Sequence, residues 1–191
     1  ITVAVGGQTN LAATNNGDGT WTLPDGTLSE LADGVYNVAA TATDGAGNSG
    51  ADATTNELTV NSDAPTITVN TLATNDRTPA LGGTVDDPAA TITIAVGAHS
   101  GLAATNNGDG TWTLPDNTLS PLADGTYNVI ATATDPQENS ATDATTDELS
   151  IDATAPVVSV DPILTNDNRP ALSGAVDDPT AVVRIAVNGE T

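Results

Sequence analysis

The chain repeats itself. Ala40-Thr41-Ala42-Thr43-Asp44-Gly45-Ala46-Gly47-Asn48-Ser49 returns as Ala131-Thr132-Ala133-Thr134-Asp135-Pro136-Gln137-Glu138-Asn139-Ser140, about 91 residues later. Trp21 and Trp112, Tyr36 and Tyr127, and Pro65 and Pro156 keep the same step, as do Asp86-Asp87-Pro88 and Asp177-Asp178-Pro179. No gap interrupts the register, and about two-thirds of the superposed positions are identical. One module is therefore built more than once, and a unit of that length is large enough for a hydrophobic core of its own.

That core has to be aliphatic. Phe, Met and Cys are absent, only two Trp and two Tyr occur, and the apolar remainder is dominated by Val, Ile, Leu and Ala. The β-branched share, Thr included, favours strands over helices. Without Cys there is neither a disulfide staple nor thiol chemistry. The 25 acidic residues face three arginines (Arg77, Arg169 and Arg184) and no lysine, for a net charge of -22. Nucleic acid and anionic membrane, which need cationic side chains, are poor partners for such a surface. The regular apolar pattern argues against disorder, the usual consequence of such acidity.

The unit over residues 63–152 reads as seven strands. Thr66-Ile67-Thr68-Val69-Asn70 alternates after Pro65 and makes the first. A turn over Thr74 to Pro79 leads to Ala80–Val85. Asp86-Asp87-Pro88 turns into Thr91–Val96, and a loop around His99 precedes a short strand at Leu102–Thr105. Asn106-Asn107-Gly108-Asp109-Gly110 carries the residues a hairpin needs for positive φ and leads to Thr111–Leu114. Leu122-Ala123-Asp124-Gly125 turns into Thr126–Thr134, and a loop over Asp135 to Asp143 leads to Glu148–Ile151. Short strands at this spacing, with no helical period, indicate an all-β fold of tandem immunoglobulin-like antiparallel β-sandwich modules of about 91 residues. Trp112 is the expected core aromatic, and Tyr127 stands where a tyrosine corner would lie.

Residues 1–62 correspond to the third strand onward of such a module, and residues 153–191 to its first three strands. Val183-Arg184-Ile185-Ala186-Val187 repeats the register of Ile1-Thr2-Val3-Ala4-Val5. A half sandwich with open edges is not expected to stand alone. Two accounts remain open. The chain is a window on a longer array, or the tail of one molecule completes the head of another and builds a filament.

Strand parity assigns each loop to a pole. Within 63–152 it carries Asp63, Asp86, Asp87, Asp135 and Asn139 to the N-terminal pole, where the preceding module presents Asp33. At the next junction Asp76 and Asp124 are expected to face Asp152, Asp177 and Asp178. Asp44 and Asn48 occupy the N-terminal pole of the first module. Carboxylates gathered in this number repel one another without a cation, and a set of hard oxygen donors suits Ca²⁺ better than Mg²⁺ or Zn²⁺. The competing reading makes Asp and Asn turn formers, and it is preferred for Asp18, Asp25, Asp109 and Asp116. Salt adaptation is a further source of acidity.

Four motifs in order resemble the bacterial Ig-like repeats of giant surface adhesins, which include type I-secreted and biofilm-associated proteins. They are Thr-Asn-Asp-x-x-Pro at 74–79, Asp-Gly-Thr-Trp at 109–112, Leu-Ala-Asp-Gly-Thr-Tyr at 122–127 and the Ala-Thr-Asp-x-x-x-Asn loop at 133–139. The resemblance covers the whole chain. It implies extender arms on the bacterial cell surface, outside the cell, often made rigid by calcium between neighbouring modules of the same or identical chains. Pro136-Gln137-Glu138 departs from the Gly-Ala-Gly of the first copy, which leaves the coordination at that loop open.

Catalysis is not expected. His99 is the only histidine and is matched by Gln8 and Glu190 in the other copies. The adjacent pair Asp86-Asp87 on a turn does not frame a substrate. A carbohydrate-binding module would need exposed aromatic platforms, and all four aromatics read as core residues.

Overall fold

The computed structural model describes residues 1–187, and within them every regular element is a strand. In the central unit, β9 (Leu72–Thr74), β10 (Leu81–Thr84), β11 (Thr91–Val96), β12 (His99–Asn106), β13 (Thr111–Leu114), β14 (Gly125–Tyr127), β15 (Val129–Thr134), β16 (Ser140–Thr142) and β17 (Leu149–Ile151) follow one another. Before them come β1 (Thr2–Val5), β2 (Gln8–Ala12), β3 (Thr14–Asn15), β4 (Trp21–Thr22), β5 (Gly34–Tyr36), β6 (Ala39–Thr43), β7 (Ser49–Ala51) and β8 (Leu58–Val60).

Alternation along β11 explains the core. Ile92, Ile94 and Val96 are buried while Thr91 and Thr93 are exposed, the two-residue period of a strand with one wet face. β11 pairs antiparallel with β12 on one side and β15 on the other, and β15 pairs with β16. β13 pairs with β10, and residues 66–70 run along the far side of β10 through Thr68 N to Thr84 O and Asn70 N to Gly82 O. β12 joins the two layers, because its first part pairs with β11 while Thr105 and Asn106 pair with β13. Ile67, Leu81, Val85, Trp112 and Leu114 pack with Ile92, Ile94, Val96, Ala131 and Ala133 in one hydrophobic cluster, which Leu149 and Ile151 close. This is an Ig-like β-sandwich.

Four strand expectations need correction. The stretch expected to turn at Thr74 first forms β9, which pairs in parallel with β17, so the chain crosses from one layer to the other after Asn70. The sixth strand is broken at Asn128. β14 pairs with β17 and β15 with β11, and at the break Val129 N donates to the buried Glu148 carboxylate instead of a ladder carbonyl. Finally, the loop after Asn139 contains β16, and His99 lies in β12 rather than a loop. Tyr127 does form the tyrosine corner: its hydroxyl donates to Ala123 O at 2.9 Å, as Tyr36 donates to Ala32 O at 2.7 Å.

The flanking stretches carry fewer strands. Residues 1–62 retain the β2-β1-β6-β7 sheet and the β5-β8 pair. In residues 153–187 the ladder between 157–161 and 173–177 is present through Ser159 N to Ala175 O and Asp161 N to Ser173 O, but no strand forms over 183–187. Residues 188–191, the end of the expected third module, lie outside the described residues.

Candidate module-junction site

The central unit meets the preceding one through a short linker. Asp33, in the turn before β5, accepts hydrogen bonds from Ser62 N at 3.0 Å and Ser62 Oγ at 2.7 Å. Those donors, the hydroxyl first, hold the Asp33 carboxyl below its ordinary value. The preceding unit is thereby tied to the linker that leads into the central one.

On the other side of the linker, Asn61 is held by the loop between β15 and β16. Its amide donates to Asp135 Oδ2 at 2.9 Å and Gln137 Oε1 at 3.2 Å, and its carbonyl accepts from Asn139 Nδ2 at 2.9 Å. Asp135 is only 6% exposed. Its Oδ1 accepts from Gln137 N and Asn139 N, and its Oδ2 accepts from Asn139 Nδ2 as well. Burial of this carboxylate is tolerated because four donor contacts surround it.

Around that knot Asn61, Asp63, Ala64, Pro65, Asp86, Asp87 and Asp135 line one crevice of 280 Å³. The structure thus brings together Asp63, Asp86, Asp87 and Asp135, with Asn139 bonded to the last. Asp86 Oδ1 accepts from Thr66 N at 2.7 Å, which keeps its carboxyl below the usual range. Asp87 Oδ1 accepts from Ala89 N at 2.8 Å and so caps its own turn. Each of these two has one oxygen committed to the backbone. Among the described residues, no group of three or more His, Cys, Asp or Glu side chains is close enough to hold a metal ion as arranged. The donor chemistry fits a hard cation, while the carboxylates are spread across the crevice rather than gathered into a cage.

The following junction is built differently. Asp124 accepts from Thr154 Oγ1 and Ala153 N, and Arg77 Nη2 lies 2.7 Å from its Oδ1. Its carboxyl is lowered by the Thr154 hydroxyl, then the Ala153 amide, with Arg77 contributing least. Asp152 accepts from Thr154 N, and Asp177 Oδ1 accepts from Val157 N as Asp86 does from Thr66 N. Asp76 and Asp178 cap their own turns at Thr78 and Thr180. Asp76, Asp124, Asp152, Asp177 and Asp178 thus each accept from the backbone or a hydroxyl close by. Asp44 and Asn48 bond to each other in a closed loop at the head, with Asp44 Oδ2 accepting from Asn48 Nδ2 at 2.9 Å. Asp18 and Asp109 cap Thr20 and Thr111 as turn formers.

Sequence reasoning missed Asn61, Ser62, Thr154 and Arg77 as junction residues. Arg77 carried a signal, being one of three cations in the chain and next to Asp76. Asn61 carried one as well, since it stands in the linker where Asp152 stands one repeat later, while Ser62 and Thr154 carried none, Ser and Thr being common in any turn.

Comparison with known proteins accords with this architecture. A family model for the bacterial Ig-like domain matches residues 1–63 and again residues 51–153. The chain belongs to the bacterial Ig-like domain family. No curated protein matches it. Among solved structures it is similar to the Bacteroides ovatus mixed-linkage glucan utilization locus SGBP-B in complex with a mixed-linkage heptasaccharide, at 16% identity and a TM-score of 0.32. That match covers 88% of this chain and 44% of the other, so the chain spans less than half of that protein's length. Likeness at this level adds nothing to the argument.

Proposed function

We propose that this chain is a structural spacer of an extracellular bacterial adhesin, carrying a distal binding domain away from the cell in support of adhesion or biofilm formation. The observation that carries the reading is the linker at Asn61–Asp63, clamped from one side by Asp33 and from the other by Asp135 and Asn139. Linkers that join independent beads are free of such contacts. A strapped linker restricts the angle between successive units, which a spacer requires and a catalyst does not.

Calcium is proposed to stiffen the junction further. Asp63, Asp86, Asp87 and Asp135 would supply oxygens from the crevice they line, after a rearrangement that draws them closer. A bound Ca²⁺ would offset their mutual repulsion and cross-link the linker to the turns beside it. Thermal unfolding of the full chain with calcium, and with excess chelator at fixed ionic strength, tests this. The expected result is a calcium-specific rise in melting temperature, not reproduced by magnesium and blunted in Asp87→Ala. Equal melting in both conditions would remove calcium from the account. Small-angle scattering tests the spacer reading separately, since a chain as flexible in native buffer as after Asn61→Gly and Asp135→Ala would refute it.

A further inference from the structure

Tension along the chain enters and leaves the central unit at opposite ends. The incoming linker runs through Asp63, in the crevice that Asp86 and Asp135 also line. The outgoing one starts at Asp152, whose amide N donates to Thr74 O at 3.0 Å, and continues through Ala153 and Thr154, which donate to Asp124. Between those ends β9 and β17 lie side by side. They pair in parallel, with Leu72 opposite Leu149 and Thr74 opposite Ile151, and Leu72 N donates to Glu148 O at 2.7 Å where the ladder starts. Ladder bonds run across the strands, not along them.

A pull on the two linkers draws β9 back toward the incoming end and β17 on toward the outgoing end. Parallel strands drawn in opposite directions are sheared, so the bonds between them are loaded at once and must fail together. Peeling the same strands apart from one end loads those bonds one at a time. Side-chain packing opposes the shear as well. Leu149 and Ile151 are 0% and 2% exposed, and Leu72 packs on the same cluster. A slip of β9 by one residue would turn Leu72 out of the core and Ala73 into it. Upstream, residues 66–70 form a first patch that a pull on Asp63 meets before β9. They hold to β10 through Thr68 N to Thr84 O and Asn70 N to Gly82 O. Together with β10 they also seat Trp112, which is 1% exposed and whose Nε1 donates to Thr68 O at 2.9 Å.

We infer that the β9–β17 ladder is a mechanical clamp, which lets the unit withstand a pull through its linkers far better than a pull that peels the same two strands apart. Resistance to a pull is set by the barrier to unfolding, not by the free energy between the folded and unfolded states. The crossing of the chain after Asn70 thereby gains a mechanical consequence. It lays the incoming segment alongside the strand from which the outgoing segment leaves, so neither can be drawn away without shearing the other. This clamp rests on the spacer reading only for the direction of the load, and it operates with or without calcium at the junction.

Single-molecule force spectroscopy of the full chain, held by its two ends, is the test. Rupture of the central unit is recognised by its step, at most about 300 Å for residues 63–152 at about 3.3–3.6 Å per residue. The chain has no Cys, so introduced thiols give unique handles for a second geometry. Thr71→Cys with Thr146→Cys places both handles where the ladder starts, at two exposed positions, and peels β9 from β17. The end-held chain is expected to break at a clearly higher force than the peeled one. Leu72→Pro removes the donor to Glu148 O, whereas Leu72→Ala trims the packing and keeps the donor. The proline variant is expected to bring the end-held force down toward the peeled one, and the alanine variant to fall well short of that. Equal forces in the two geometries overturn the inference, a comparison that needs no destabilising substitution. So does a Leu72→Pro chain that breaks no sooner than Leu72→Ala. A chain that scattering finds flexible, but that still breaks at a higher force when held by its ends, would remove the spacer reading and leave the clamp.

Discussion

Gly83→Ala adds one methyl group where the fold has no room. The ideal Cβ would lie 1.9 Å from Thr68 O and 2.8 Å from Thr68 C, both backbone atoms, so no side-chain rotation relieves the overlap. Residues 66–70 would have to move away from β10. That movement strains Thr68 N to Thr84 O and Asn70 N to Gly82 O and draws Thr68 O away from the Trp112 indole. Overpacking of this kind costs about 1–3 kcal/mol. A hydrogen bond lost with its buried indole donor left unpaired adds about 1–3 kcal/mol. The sum, about 2–6 kcal/mol, is a large part of the stability of a small domain, and at about 4–8 °C per kcal/mol for a unit of this size it lowers the melting temperature by at least about 8 °C. The assay is calorimetry of the full chain, paired with tryptophan emission in a Trp21→Phe background so that only Trp112 reports. Gly50→Ala is the control. Nothing lies within 4 Å of its ideal Cβ, so the same chemical change should be neutral or stabilise by about 0.4–1 kcal/mol. Melting of Gly83→Ala within about 4 °C of its parent, with Trp112 emission unchanged, would refute the steric argument and the role given to the seat.

Two further outcomes follow from the packing and the charges. Leu114 is fully buried and Leu23 only partly, so Leu114→Ala should cost about 2–5 kcal/mol in urea unfolding and Leu23→Ala clearly less. Asp33, Asp86 and Asp124 have carboxyls lowered from 3.8 by their junction donors, so their stabilising contribution is complete above that value and lost as pH falls through the lowered folded values. The urea midpoint should therefore drop between neutral pH and about pH 3, and Asp124→Asn should flatten that slope.

Much of the sandwich was legible because its signals are local. Alternation in Thr91–Val96, the Asn-Gly-Asp-Gly hairpin and the tyrosine corner depend on neighbours within a few residues. The pole assignments were legible for a related reason, since each strand reverses the chain and parity survives errors of one or two residues at strand ends. That is how Asp63, Asp86, Asp87 and Asp135 were placed at one crevice from sequence. Strand parity does not say which oxygens are free. Asp76, Asp87 and Asp178 each use one oxygen to cap their own turns, a competition between turn and ligand that residue type alone cannot resolve. The crossing at β9 and the break at Asn128 were illegible because alternation reports which face of a strand is buried, not which sheet it joins.

The two tryptophans make the division plain. Asp18-Gly19-Thr20-Trp21-Thr22-Leu23-Pro24 and Asp109-Gly110-Thr111-Trp112-Thr113-Leu114-Pro115 are the same seven residues, and both form a strand after the same hairpin. One indole is 41% exposed and the other 1%. Everything local is shared, so the difference resides in residues 66–70 and β10, which cover Trp112 and have no counterpart over Trp21. Local sequence decides that a strand forms there, and a distant segment decides whether its tryptophan becomes core. The expectation that all four aromatics are core residues failed at Trp21 for that reason, and the same argument makes the exposed indole a reporter of any segment that comes to cover it.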